Sequence, residues 1–332
     1  MVKVKISEIQ ETLQNIIASK NSRLSVEEVE TLALDYLEGE LQGKQSHGIA
    51  AFPAVVGNLA NAKADFKIIK ETESFIYADA MGGFGALVGR RIADKLVNKA
   101  KKQGIALASI REMKSWLRPA VIAQYVADKD MIALVVNTGG PPMVAPPGGR
   151  EPVVGTNPIG LGIPTSDKPV IVDMATSSRA WGEVRMAKRF GHALPEESFL
   201  DKEGIPTRSA DEAHAALAMG AYKGFSLGLF IEILGGSLVG MNMGQGEVNE
   251  AYYTRNRGAT ILVINPALTV GSDNFKVANQ NFISEIKNSP PAKHSNGVTI
   301  PGDRALKNKA FNLQNGYLEI DNDLWEEIKS YL

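Results

Sequence analysis

Apolar residues at Ile9, Leu13, Ile16 and Ile17 recur at helical spacing, and Ser7-Glu8-Ile9-Gln10 just before them fits a capping box. The pattern repeats behind Ser25-Val26-Glu27-Glu28, with Val26, Val29, Leu32, Ala33, Tyr36 and Leu37 on one stripe and Gly43 as the stop. A third short helix is expected from near Ser46 towards Leu59. At Ala64 the period changes from helical to alternating: FKIIKETESFIYADA reads as two strands with a polar turn. A glycine cluster and an amphipathic helix over about 85–102 follow. Then come a strand at 104–110, a helix near 119–128 and a strand at 131–138.

The stretch 139–152, GGPPMVAPPGGREP, is too rich in Gly and Pro for a regular element. VVGTNPIGLGIP, 153–164, reads as a ligand-lining loop, and KPVIVDMA as a strand ending near 175. Helices are expected near 210–219, 223–240 and 272–287, with a strand at 259–265. In the tail, DNDLWEEIKSYL carries a capping signal at Asp323 and Glu326.

Composition narrows the function. Lys+Arg is 36 against Asp+Glu 37, which speaks against a nucleic-acid or polybasic-membrane partner. The chain has no cysteine, so disulfides, thiolate metal sites and cysteine nucleophiles are excluded. The N-terminus lacks a signal-peptide core, so a cytoplasmic protein is expected. The longest apolar run, 224–241, contains Glu232 and several glycines, and reads as a buried helix rather than a membrane span. No histidine pair has metal-ligand spacing and Gly-x-Ser-x-Gly is missing, so neither a catalytic metal nor a hydrolase elbow is expected.

MGGFGALVG, 81–89, follows a strand and opens a helix, as a dinucleotide fingerprint would. Its Gly83-x-Gly85-x-x-x-Gly89 spacing is one residue too long, and no regular βαβ alternation follows. A glycine-permitted turn is the favoured reading, with a Rossmann site as the alternative. Candidate chemistry sits instead at Ser46-His47-Gly48. Unpaired N–H groups at a helix start disfavour an imidazolium, which would leave His47 neutral and able to exchange a proton; on the pattern alone, a capping serine with a solvent-facing histidine is the alternative and the commoner arrangement. Gly48 is expected to leave room for a ligand. Of the other three histidines, His192 and His294 fall in loops and His214 on a helix face.

SHGIAAFP, GTNPIGLGIP, VDMATSS, YKGFSLGLFIEILGGSLVG and IPGDR stand here in the order and approximate spacing of one family. The chain resembles the malate/L-lactate dehydrogenase family, which is unrelated to the Rossmann dehydrogenases. The resemblance implies an α/β (α+β) fold. A mixed-sheet, non-Rossmann cofactor and substrate domain, 64–304, would stand beside a separate helical domain, 1–63 plus about 305–332. It further implies a homodimer that uses NAD or NADP on a small 2-oxo or 2-hydroxy acid, diketo sugar acid or cyclic imine.

Carried over by motif, His47 is the proton donor with Ser46 beside it. Cofactor contacts fall on Ile171, Val172, Asp173, Met174, Ala175, Thr176 and Ser177, on Lys223 and Gly224, and on Gly302, Asp303 and Arg304. The chain departs from the family twice. Ala51 stands where many members have an arginine, and Ser115 stands where many have a second histidine. Lys114, Ser115 and Arg118 are the expected substrate contacts, with either cation able to hold an anionic group. A cofactor-binding homologue without turnover is the alternative that these departures raise.

Overall fold

The alternating apolar stretches of the middle of the chain converge on one sheet. The computed structural model describes residues 1–114, 118–138, 140–244 and 257–332. The N-terminal part holds β1 (Val2–Lys5), α1 (Ile6–Lys20), α2 (Val26–Leu41), two 3-10 turns at Gln45–His47 and Ile49–Ala51, and α3 (Pro53–Leu59). Next come β2 (Lys67–Glu71), β3 (Phe75–Asp79), α4 (Gly85–Gln103), β4 (Ile105–Met113), α5 (Pro119–Ala127) and β5 (Ile132–Asn137). The chain continues with β6 (Ile159–Ile163), β7 (Val170–Met174), α6 (Gly182–Phe190), β8 (Phe199–Leu200), β9 (Ala215–Ala216) and α7 (Tyr222–Gly235). β10 (Arg257–Ile264), α8 (Ser272–Asn288), α9 (Asp303–Asn315), β11 (Tyr317–Ile320) and α10 (Asn322–Lys329) complete it.

The main sheet has seven strands in the order β2-β3-β4-β10-β5-β6-β7. β3 and β4 are parallel, joined across α4, and the other neighbours are antiparallel. The sheet is therefore mixed, as expected. The single parallel pair flanks the 81–89 glycines, but their turn is filled by protein. A Cβ on Gly83 would lie 2.9 Å from the Ala80 carbonyl oxygen and 3.1 Å from that of Lys63. Gly83 is thus a packing glycine, and a mixed sheet with one parallel pair lacks the parallel βαβ array of a Rossmann site.

One buried cluster joins α1, α2 and α3 to β11 and α10, through Ile9, Leu13, Ile16, Phe52, Leu318 and Trp325. A second packs α4 and α5 on the sheet, through Ile92, Leu96, Ile122, Val135 and Ile261. A third lies around α6, β8 and β9.

Several local expectations need correction. α1 starts at Ile6 with Lys5 as N-cap and no side-chain cap, so Ser7 is inside the helix. The Ser25 box forms in full. No helix forms over 210–219: that stretch contains β9, and His214 accompanies it, with Nε2 3.0 Å from Glu151 Oε2. The supposed loop 153–164 contains β6. A Cβ on Gly160 would lie 2.5 Å from Ala120 N, and one on Gly162 2.2 Å from the Ala123 oxygen. Glycine there lets the α5 backbone rest directly on the strand, which is why the segment does not look like one.

Candidate active site

Gly43 takes a left-handed φ of 73° after α2 and turns the chain into the Gln45–His47 turn. That turn forms one wall of a cleft of about 780 Å³. Opposite it runs the exit of β7, where an apolar strand ends in Asp173 and Met174. Lys44, Ser46, His47, Arg118, Asp173 and Arg185 line the cleft between them.

Lys44 Nζ is paired with Asp173 Oδ2. Arg118 Nη1 lies 3.6 Å from the same oxygen and donates to Gln42 Oε1 at 2.9 Å. Arg118 is buried, and its Nε and Nη2 have no partner among the described residues. Asp35 of α2, also buried, carries an unpartnered Oδ1. Burial raises the Asp35 pKa to about 6 against the pull of Arg118, and Asp173 and Glu38 add to the rise. Burial also lowers Lys44, although Asp173 opposes it.

The His47 Nδ1 lies 3.0 Å from Ser46 Oγ. His47 is half-buried where it lines the cleft, and desolvation lowers its pKa to about 4. Asp173 pulls the other way, and Arg118, Arg185 and Lys44 reinforce the lowering. The neutrality expected from a helix start is present, but burial causes it. Glycine 48 also serves a different end from the one expected. A Cβ there would strike Glu40, not an incoming ligand.

Of the expected cofactor contacts, Asp173, Met174, Ala175, Ser177 and Arg304 line the cleft. Ile171, Val172 and Thr176 lie behind it as strand and exit. The Thr176 backbone N–H and hydroxyl both donate to the Thr156 carbonyl, at 3.0 and 3.1 Å. Gly224 is packed against Thr176, where a Cβ would lie 2.8 Å from its carbonyl oxygen. Lys223 is exposed on the first turn of α7 and does not line the cleft. Gly302 takes a left-handed φ of 92° against the Ile171 backbone, and Asp303 binds Lys287 at 2.8 Å and caps Ile300 N. That turn carries Arg304 into the cleft.

Of the expected substrate contacts, Lys114 and Arg118 line the cleft; Ser115 lies outside the described residues. Ala51 lines it too. Sequence reasoning missed Lys44 and Asp35, and also Asn137 at the end of β5, which lines the cleft. Lys44 could have been found from its place two residues before Ser46.

The arginines 179, 185 and 304 supply positive charge along the cleft, and the β7 exit supplies polar backbone. The volume lies within the range of small-molecule sites, so the donor set fits a phosphate-bearing cofactor with a small acid beside it. Among the described residues, no group of three or more His, Cys, Asp or Glu side chains could hold a metal.

The malate/L-lactate dehydrogenase family model matches residues 4–329. The L-sulfolactate dehydrogenase of Methanothermobacter thermautotrophicus is 35% identical over 301 residues, covering 88% of this chain and 86% of that protein. The Delta(1)-pyrroline-2-carboxylate/Delta(1)-piperideine-2-carboxylate reductase of Pseudomonas syringae pv. tomato is 29% identical, covering 90% and 88%. The solved sulfolactate dehydrogenase of Methanocaldococcus jannaschii superposes with a TM-score of 0.89 at 28% identity, covering 99% and 96%. On a sequence match over nearly its whole length and a shared mixed-sheet architecture, the chain belongs to the malate/L-lactate dehydrogenase family.

Proposed function

We propose that the protein is an NAD(P)-dependent dehydrogenase or reductase that interconverts a small 2-hydroxy acid and its 2-oxo acid, or a cyclic amino acid and its imine. The relatives' activities on sulfolactate, malate and cyclic imino acids support the reaction class. The observation that carries it is the half-buried, neutral His47 on the wall of a cleft where Lys44, Arg118 and Asp173 stand with it.

When bound, the nicotinamide supplies or accepts the hydride. The chain's residues do the rest. Ser46 fixes one ring nitrogen of His47, which leaves Nε2 to exchange a proton with the substrate oxygen or nitrogen. In oxidation the neutral ring takes the hydroxyl proton as hydride leaves carbon. In reduction the same proton returns as hydride arrives. Asp173 favours the imidazolium that forms in between. Arg118 and Lys114 hold the substrate's anionic group. Met174, Ala175, Ser177 and Arg304, which line the cleft, would hold the cofactor, with Ile171, Val172 and Thr176 behind them and Lys223 outside the cleft. Thr176, Gly224 and Gly302 shape its bed; Arg304 meets its phosphates.

The protein acts as a cytoplasmic homodimer. The outer face of α7 supports the dimer, because Tyr222, Leu229, Phe230 and Ile233 are exposed along it.

Titration with NADH and NADPH, followed by cofactor fluorescence, tests binding. A panel of 2-oxo acids, diketo sugar acids and cyclic imines then tests turnover. Ala51 favours a second reading, a cofactor-binding homologue that has lost catalysis; binding without turnover across the panel selects it.

A further inference from the structure

Glu40 lies near the end of α2 and does not line the cleft. Its Oε2 accepts the Ile49 backbone N–H at 3.1 Å, immediately beyond Ser46-His47-Gly48. Two glycines bring the elements into contact. A Cβ on Gly39 would lie 2.3 Å from the His47 carbonyl oxygen, and one on Gly48 would lie 2.4 Å from Glu40 Oε2 and 2.8 Å from Glu40 N. The backbone of α2 and the backbone of the His47 turn therefore touch with no side chain between them. Gly39 also accepts the Lys44 N–H at 2.8 Å, and Lys44 accepts the His47 N–H at 2.9 Å. The turn is thus pinned to α2 before the histidine by Gly39 and after it by Glu40.

We infer that Glu40 is a positioning residue, whose carboxyl fixes the angle at which the turn presents the His47 ring to the cleft. The inference rests on the reading of His47 as the proton-exchanging group.

The surroundings of Glu40 give this role a pH signature. Burial raises its pKa to about 7, opposed by the Ile49 N–H. Among the described residues, no cation pairs with it. On α2, Glu38 pairs with Lys309 of α9 at 2.5 Å, and Asp35 faces Arg118. From α4, Arg91 pairs with Glu28 at 2.8 Å. From the turn itself, the titratable groups are Lys44, committed to Asp173, and His47. Ionisation of Glu40 thus buries a charge that the Ile49 N–H only partly offsets, and the packing of the turn on α2 is destabilised as pH rises through about 7.

The test uses Glu40→Ala and Glu40→Gln in the full chain, with NADH and with whichever acid the panel shows to turn over. Glu40→Ala should lower kcat by about tenfold or more, the scale of a small misplacement, with little change in the KM for NADH. Glu40→Gln keeps an acceptor for Ile49 N and cannot ionise. It should restore kcat and remove the loss of activity on the alkaline side of about pH 7.

NMR titration of the His47 ring gives an arm that needs no turnover. With four histidines in the chain, each is assignable by substitution. In Glu40→Ala the His47 pKa should climb from about 4 towards the ordinary histidine value as water reaches the ring, while Glu40→Gln stays low. Wild-type kcat or an unmoved His47 titration in Glu40→Ala would overturn the inference. If Glu40→Ala fails to fold, the pH profile and ring titration of Glu40→Gln against wild type decide. A chain that turns over no substrate but shows the His47 shift would refute the hydride-transfer reading and leave the positioning role standing.

Discussion

Arg118 Nη1 stands 3.6 Å from Asp173 Oδ2 and donates to Gln42 Oε1 at 2.9 Å, so one guanidinium ties the head of α5 to the exit of β7 and the end of α2. A cation at a helix N-terminus opposes the macrodipole, and Asp173 offsets it there. The same carboxylate holds Lys44. Asp173→Asn would leave two enclosed cations without their counter-charge. A loss of about 3 kcal/mol or more in folding stability is expected by chemical denaturation, because breaking a buried pair strands its partners. His47 should become still harder to protonate, since Asp173 is what favours its charged form.

His47→Ala should cut kcat by ~10²–10⁴, the usual worth of a placed general acid or base. The affinity for NADH, read by fluorescence, should change little. Unchanged turnover would remove His47 from the reaction.

Gly48→Ala puts a Cβ 2.8 Å from the Glu40 backbone nitrogen, which cannot swing aside. The cost should be about 1–3 kcal/mol, as for other overpacking changes. A melting curve would register the loss, and kcat should fall with it. A wild-type melting temperature would mean that the two segments can part without penalty.

The site's titrating groups act on stability in opposite directions. His47 has a folded pKa lowered to about 4, so it favours the fold when neutral. Its contribution is present above the unfolded value near 6.5 and is lost as pH falls through 4. Asp35, raised to about 6, favours the fold when protonated. Its contribution is present below the unfolded value near 3.8 and is lost as pH rises through 6. Asp35→Asn should therefore exceed wild type in stability at pH 8, by of order 1–3 kcal/mol, with the difference fading at pH 4. Denaturation midpoints measured across pH would show this. A constant offset at every pH would show that Asp35 does not titrate differently in the folded chain.

Phe230→Asp places a charge on the exposed apolar face of α7, where Phe230 is 59% exposed. Light scattering should report a shift from dimer to monomer. A monomeric wild type would remove the proposed role of that face.

Much of this molecule was legible in the chain. Helical stripes at Ile9–Ile17 and Val29–Leu37 depend on local period, and so did the change to alternation after Ala64. The five ordered motifs pointed to the family and to His47. Short-range patterns cannot report what a residue meets from far away, and the errors follow from that. β6 looked like a loop because Gly160 and Gly162 answer to the α5 backbone, not to strand propensity. Gly48 looked like space for a ligand because Glu40 is its neighbour only after α2 and the turn pack. The Ala-rich stretch around His214 looked helical, but it pairs as β9 with β8.

The sequence by itself determined the periodic elements and the family, and singled out His47 as the candidate imidazole, since these reside in residue type and spacing. The tertiary structure alone decided that the ring is neutral through desolvation, that Asp173 binds Lys44 and approaches Arg118, and that Glu40 braces the turn. Those properties depend on desolvation and on charges separated by up to 129 positions along the chain, which only packing brings within a few ångströms.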